Sequence, residues 1–161
     1  MIVVDSNILA ARNLTSIRTP LAEQVQQKDP VWVVPVLWRY EFQNILATAI
    51  KAGQIASEHA LEAWNRVYQI MSGNEADPSV VKVLELVNRY RITAYDGQFI
   101  ALAIQMGIPC VTEDGELQKK FPGLALSMED FLGSTSGMVR ERPERYRAKK
   151  AHPVRGITRS Y

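Results

Sequence analysis

The chain has a single cysteine, Cys110, in 161 residues. An internal disulfide framework is therefore excluded, and this usage fits a reducing compartment. Histidine is nearly as scarce, with two in the whole chain. Neither lies in a recognisable partner motif, so a Cys–His nucleophile has no support. Cys110, set between Pro109 and Val111, reads as a small buried hydrophobe. The same scarcity argues against zinc, which favours sulfur and imidazole ligands. No apolar run approaches the roughly 20 residues that cross a bilayer, so no membrane span is expected. The N-terminus carries no basic segment with a cleavable apolar stretch, and a cytoplasmic protein is expected. Repeats and low-complexity segments are also missing.

What is there is an ordinary globular balance, 47% hydrophobic and 22% charged residues. The length fits one domain with a real core. The net charge of +2 hides a split. Residues 134–161 carry eight Lys/Arg against two Glu, a balance of +6. Residues 1–133 carry eleven Lys/Arg against fifteen Asp/Glu, a balance of −4. The reading is a compact domain over 1–133 and a basic C-terminal extension over 134–161. Such asymmetry points to nucleic acid or an acidic partner for the extension, or to a tail that is simply solvated.

The body alternates apolar β-branched runs with helical patterns. Ile2-Val3-Val4, Val31 to Val34 and Pro109 to Thr112 read as buried strands, and Leu124 to Leu126 as a last edge strand. Helices are expected after Asp5 to about Arg12, from Thr19-Pro20 to about Lys28, from Val36 to Lys51 and from Ser57 to about Met71. Further helices are expected from Pro78 to about Tyr90, from Asp96 to near Gly107, from Glu116 to about Phe121 and over Met128 to Leu132. Val80, Val81, Val83, Leu84 and Val87 read as the apolar side of the Pro78 helix. Trp64, Val67, Tyr68 and Met71 recur at helical spacing, as core or subunit-interface residues do. This alternation predicts a three-layer α/β/α sandwich around a mostly parallel sheet.

In open sheets of this kind, ligands gather outside the carboxyl ends of the strands. Asp5 ends the first strand and Asp114 the third. Asp96 opens a helix, and Glu41 lies near the start of another, flanked on its own face by Leu37 and Ile45. Each has a plain structural explanation, as a cap, a helix-dipole partner or a surface acid. Together they form a cluster of like charge that needs compensation. An all-oxygen set suits Mg²⁺ or Mn²⁺. Ser6, Asn7 and Thr112 stand beside the acids as orienting groups, or as ordinary turn and cap residues.

The segments VVDSNIL (3–9), YEFQNIL with Glu41 and Asn44, YDGQFIALA (95–103) and VTEDGEL (111–117) occur in an order that resembles the PIN-domain family. Among its members the chain is similar to the VapC-type toxins of bacterial and archaeal toxin–antitoxin pairs. The resemblance covers about residues 1–132. It implies that Asp5, Glu41, Asp96 and Asp114 are metal-binding catalytic acids, with Ser6 or Asn7, Asn44 and Thr112 in support. It also implies Mg²⁺- or Mn²⁺-dependent cleavage of RNA, frequent homodimers and an antitoxin that plugs the site. Gly97 departs from the alanine usual in the family and weakens its helix by up to about 1 kcal/mol. Glu113 sets a second acid beside Asp114; the Thr-x-Asp spacing favours Asp114. The basic extension exceeds a compact family member and could track an RNA backbone, with Tyr146 or Tyr161 as a stacking face. Two other classes compete. One is a PIN-like module that binds RNA or protein without cutting. The other is a phosphohydrolase working through an aspartyl-phosphate, which usually wants an acid where Asn7 stands.

Overall fold

Ile2, Val3 and Val4 are all buried, and they form the strand β1 (Ile2–Val4) on which the sheet is centred. The computed structural model describes residues 1–133, and the basic extension 134–161 lies outside the described residues. After β1 come helices α1 (Ser6–Asn13) and α2 (Thr19–Lys28), then strand β2 (Trp32–Val33). Helices α3 (Trp38–Lys51), α4 (Ser57–Met71), α5 (Val80–Tyr90) and α6 (Ala94–Met106) follow in succession. Strand β3 (Cys110–Val111), helix α7 (Gly115–Lys120), strand β4 (Ala125–Leu126) and helix α8 (Met128–Gly133) complete the domain.

The sheet runs β2-β1-β3-β4 and every pairing is parallel. Its side chains alternate between two cores, as the two-residue period of a strand requires. Ile2, Val4, Trp32, Val34 and Val111 enter the core built with α1, α2, α3, α4 and α8. Val3, Val33, Cys110 and Ala125 enter the core built with α5, α6 and α7. This is the expected three-layer α/β/α sandwich. The chain leaves β1 for β2 on one side and returns past β1 to β3 on the other. Between the carboxyl ends of β1 and β3 the topology therefore opens a crevice.

Several boundaries differ from the sequence expectation. The second strand is shorter than 31–34, with Val34 in an isolated parallel bridge to Glu75. Helix α3 begins at Trp38 rather than Val36, after Pro35 accepts from the Trp38 amide at 3.0 Å. Helix α5 begins at Val80 rather than Pro78, because Ser79 is extended and its amide is held by Gln105 at 2.6 Å. The apolar side of α5 is also narrower than expected. Val83 and Leu86 are buried, while Val80, Val81 and Leu84 are exposed. At 3.6 residues per turn a single stripe faces the sheet, and Val81 and Leu84 lie off it. Thr19 does not cap α2 but is its first residue, with Pro20 behind it. Cys110 is fully buried, as expected.

Gly97 has a packing reason the sequence does not show. A Cβ there would stand 3.2 Å from Val83 Cγ1 and 3.7 Å from Val87 Cγ2. The missing methyl lets α5 lie close against the first turn of α6. Arg91, which ends α5, adopts a left-handed conformation with φ 53° and ψ 43°. For a residue with a Cβ this costs about 1–2 kcal/mol. Arg91→Gly removes that strain against a smaller loss of unfolded-state order. Stability is expected to rise by about 0.5–1 kcal/mol, a shift of a few degrees in the thermal unfolding midpoint. An unchanged or lowered midpoint would show that Arg91 is held there by contacts worth more than the strain.

Candidate active site

Asp5 follows β1 directly, and its amide donates to Val111 O at 3.0 Å, which fixes it at the β1/β3 crevice. It is the N-cap residue of α1, yet its carboxylate makes no capping bond. Instead Oδ2 accepts from Thr112 Oγ1 at 2.6 Å and from Asn7 Nδ2 at 2.8 Å. Ser6 Oγ donates to Glu41 Oε2 at 2.6 Å, which ties the first turn of α3 to the start of α1. Ser6 and Thr112 are the two buried polar residues among the described ones, at 3% and 0% exposure. Both spend their hydroxyls on these acids.

Asp96 is held from α6. Its amide donates to Thr93 Oγ1 at 3.1 Å, and Thr93 Oγ1 donates to Asp96 Oδ2 at 2.7 Å. The reading from sequence gave Thr93 no role, although Thr93-x-x-Asp96 carries the spacing of a capping pair. Asp114 caps α7: its Oδ1 accepts from the amides of Glu116 at 2.7 Å and Leu117 at 3.1 Å. Its own amide donates to Thr112 Oγ1 at 3.1 Å, so one threonine hydroxyl links Asp114 to Asp5. Asn7 completes this link through Thr112 Oγ1 at 3.4 Å and the Glu113 amide at 3.3 Å. Glu113 itself turns elsewhere, pairing with Arg18 and accepting from the Met128 amide at 3.1 Å. Asn44 is exposed, and only its carbonyl is engaged, by Thr48 Oγ1 at 2.8 Å.

A common pattern runs through the four acids. Each gives one oxygen to a protein donor: Oδ2 of Asp5, Oε2 of Glu41, Oδ2 of Asp96 and Oδ1 of Asp114. The Asp5 carboxyl also feels the backbone amides of Ser6 and Asn7, and among the described residues none of the four acids forms an ion pair. Asp5, Glu41 and Asp96 lie close enough to act on one another. Burial pushes the Asp5 carboxyl up, and the Asp96 charge adds to it, while Thr112 and the amides of Ser6 and Asn7 pull it back. Burial also pushes Glu41 up, with Asp5 and Asp96 raising it further and Ser6 opposing. Even so, no three acids among the described residues are close enough to surround one ion. The fit to a hard divalent cation rests on the donors: carboxylate oxygens from four segments, with no basic partner among the described residues. Two clefts lined by Asn13 and Arg66 lie elsewhere, beside α1 and α4.

A parallel sheet whose crevice gathers carboxylates, braced by buried hydroxyls, defines an acid-site α/β domain. The PIN domain model matches residues 2–122, and the chain belongs to that family. Ribonuclease VapC3 of Pyrobaculum aerophilum is 26% identical over 127 residues, which make up 76% of this chain and 96% of that protein. The crystal structure of PAE2754 from Pyrobaculum aerophilum superposes with a TM-score of 0.63 at 22% identity. That likeness covers 81% of this chain and 85% of the other, and it bears on the fold. No helix among the described residues is long and apolar enough to cross a membrane.

The raised carboxyls set a pH dependence of stability. A carboxyl whose native pKa lies above its unfolded value binds protons more tightly in the folded state, so stability falls as pH rises through that window. Asp5→Asn and Glu41→Gln are each expected to raise the unfolding midpoint at pH 7. The gain should be about 2–4 °C per kcal/mol of charge burial and repulsion removed. It should shrink toward zero below about pH 4, where the unfolded carboxyls are themselves protonated. A gain of equal size at pH 3.5 and pH 7 would refute this cost of holding the charges in the crevice. Thr112→Val is isosteric but strips three hydrogen bonds from the crevice. Denaturant unfolding should show a loss of about 1–3 kcal/mol; no loss would mean that the hydroxyl is not needed to seat Asp5.

Proposed function

We propose that this chain is a Mg²⁺- or Mn²⁺-dependent ribonuclease that hydrolyses RNA phosphodiester bonds. The reading rests on family membership, on a ribonuclease relative matched over nearly its full length, and above all on one observation. Four acids from four segments are held by hydrogen bonds around the β1/β3 crevice, and among the described residues none of them is neutralised by an ion pair. By the family resemblance Asp5, Glu41, Asp96 and Asp114 would hold the ion, which would draw them together from positions where no three of them surround one site. When bound, a divalent cation supplies positive charge to the phosphate and acidifies a water for attack at phosphorus. Thr112 and Asn7 fix the Asp5 carboxylate, Ser6 fixes Glu41, and Thr93 fixes Asp96. Asn44, exposed three residues after Glu41, is free to meet substrate. With water as the nucleophile, no covalent enzyme intermediate is required.

The same reading makes the chain the toxin of a toxin–antitoxin pair, acting in the cytoplasm. Its partners are RNA, a cognate antitoxin protein and a second copy in a homodimer. The basic extension 134–161 would track the RNA backbone, with affinity that falls as salt rises.

Purified full-length protein with a mixed RNA pool and a titration of Mg²⁺ or Mn²⁺ tests this, beside Asp96→Asn and an EDTA control. Cleavage should require the metal and fall in the variant by more than the roughly 10–100-fold typical of outer-sphere partners. Mn²⁺ should also raise the unfolding midpoint of the parent chain more than that of Asp5→Asn. Cleavage that survives EDTA, or that Asp96→Asn retains in full, would overturn the assignment. Metal binding without cleavage would favour the non-cutting binding module.

A further inference from the structure

Away from the crevice, a cleft of about 310 Å³ is lined by residues of α1, α2, β2 and α4. Arg12, Asn13, Gln26 and Arg66 give it polar groups, and among the described residues no Asp or Glu lines it. Residues 1–133 carry a balance of −4, so two guanidinium groups lining one cleft without an acid reverse the sign locally. The neighbouring cleft shares Asn13 and Arg66 but includes Glu62, which offsets the charge. Arg12 is oriented from α2. Its Nε donates to Gln26 Oε1 at 2.6 Å, while Glu23, half exposed, stands 3.8 Å from its Nη1. Arg66 forms no ion pair and no hydrogen bond among the described residues.

The remaining lining is apolar. Leu9, Trp32, Val67 and Met71 are at most 3% exposed, while Ile70 is half exposed. An apolar lining with a few convergent polar groups is what a small-molecule site presents. The planar donor fork of arginine suits a phosphate oxygen pair. A bare inorganic anion would leave the apolar lining wet, and a fatty acid would leave the two amides without partners. Those amides still have capacity. Asn13 Nδ2 donates to Leu9 O at 2.9 Å, which leaves Oδ1 as an acceptor. Gln26 Oε1 is taken by Arg12, which leaves Nε2 as a donor. An acceptor and a donor beside an apolar wall match the edge and the face of a nucleobase.

We propose that this cleft is a second binding site, which takes a nucleoside monophosphate. Arg12 and Arg66 hold the phosphate, the apolar lining takes the base, and Asn13 and Gln26 meet the base edge. None of Asp5, Glu41, Asp96 and Asp114 lines the cleft. The site therefore needs no metal and does not depend on the ribonuclease reading.

The test is calorimetric titration of the full chain with AMP and with UMP, in EDTA so that the crevice offers the phosphate only negative charge. Adenosine, uridine and inorganic phosphate are the control ligands. Both nucleotides should bind, and each should bind more tightly than its nucleoside or than phosphate. Arg66→Gln alters an exposed residue, so the fold is kept, and affinity should fall roughly 10- to 150-fold, the usual range for a charge-assisted contact. Arg12→Gln should lose affinity in the same range where circular dichroism shows it folded, and Arg66→Gln decides the matter by itself where it is not. Ile70→Glu sets an acid into the lining at an exposed position and should abolish binding. Equal affinity in Arg66→Gln or Ile70→Glu would overturn the site. Adenosine binding as tightly as AMP would remove the role of the arginines. Phosphate binding as tightly as AMP would leave an anion site and overturn the nucleotide. No binding of either nucleotide would sink the proposal and leave the two arginines to an acidic protein segment.

Discussion

Thr112 Oγ1 donates to Asp5 and accepts from the amide of Asp114 and the amide group of Asn7. A fully buried hydroxyl with no more capacity than this is completely committed. The rest of the crevice depends on that commitment. Asp5 is a half-buried carboxylate among other carboxylates, and without a donor it would be driven to take up a proton or turn outward. The threonine holds it ionisable and in place, and through the same oxygen it sets the start of the turn that carries Asp114. Ser6 does the equivalent for Glu41 on the other side of α1. Repulsion among the acids is thus balanced by hydroxyls placed in the dry interior, where a hydrogen bond is strongest.

The architecture was legible in the sequence because its signals are local and redundant. Ile2-Val3-Val4 has no polar position on either face, which a strand between two helical layers requires, and its alternation between the two cores follows from pleating alone. The convergence of Asp5, Glu41 and Asp96 was legible through topology. Strand ends and helix starts share a rim, whatever the details of packing. What was not legible depends on contacts between distant segments. Gly97 reads as a flaw in a helix until Val83 is placed 3.2 Å from its absent methyl. The valine-rich helix α5 reads as wholly buried, because periodicity marks which residues can face a core and not how wide the neighbouring surface is. Asp114 and Glu113 look interchangeable in a string of letters. Backbone geometry separates them, turning one to the amides of α7 and the other to Arg18 and Met128.

Stability and chemistry pull against each other in one place. The crevice concentrates the unfavourable electrostatics of the described domain, while the two cores on either side of the sheet carry none of it. Burial of Val3, Val4, Ile8 and Leu9 directly around Asp5 supplies a rigid frame for a group that would otherwise move to relieve its own field. On the proposed ribonuclease reading, carboxylates held apart from their preferred solvation would need no reorganisation when a cation and a phosphate arrive.

The bond between Thr112 and Asp5 joins residues separated by 107 positions. That separation makes the site an event late in the life of the chain. Asp5 precedes its partner by most of the domain, and its seat does not exist until β3 has followed and the sheet has closed. Loop closure over such a span is slow compared with helix formation. A nascent or truncated polypeptide can hold Asp5, Glu41 and Asp96 and still have no assembled centre. The topology itself therefore acts as a timer, withholding the active arrangement until translation of the domain is nearly complete.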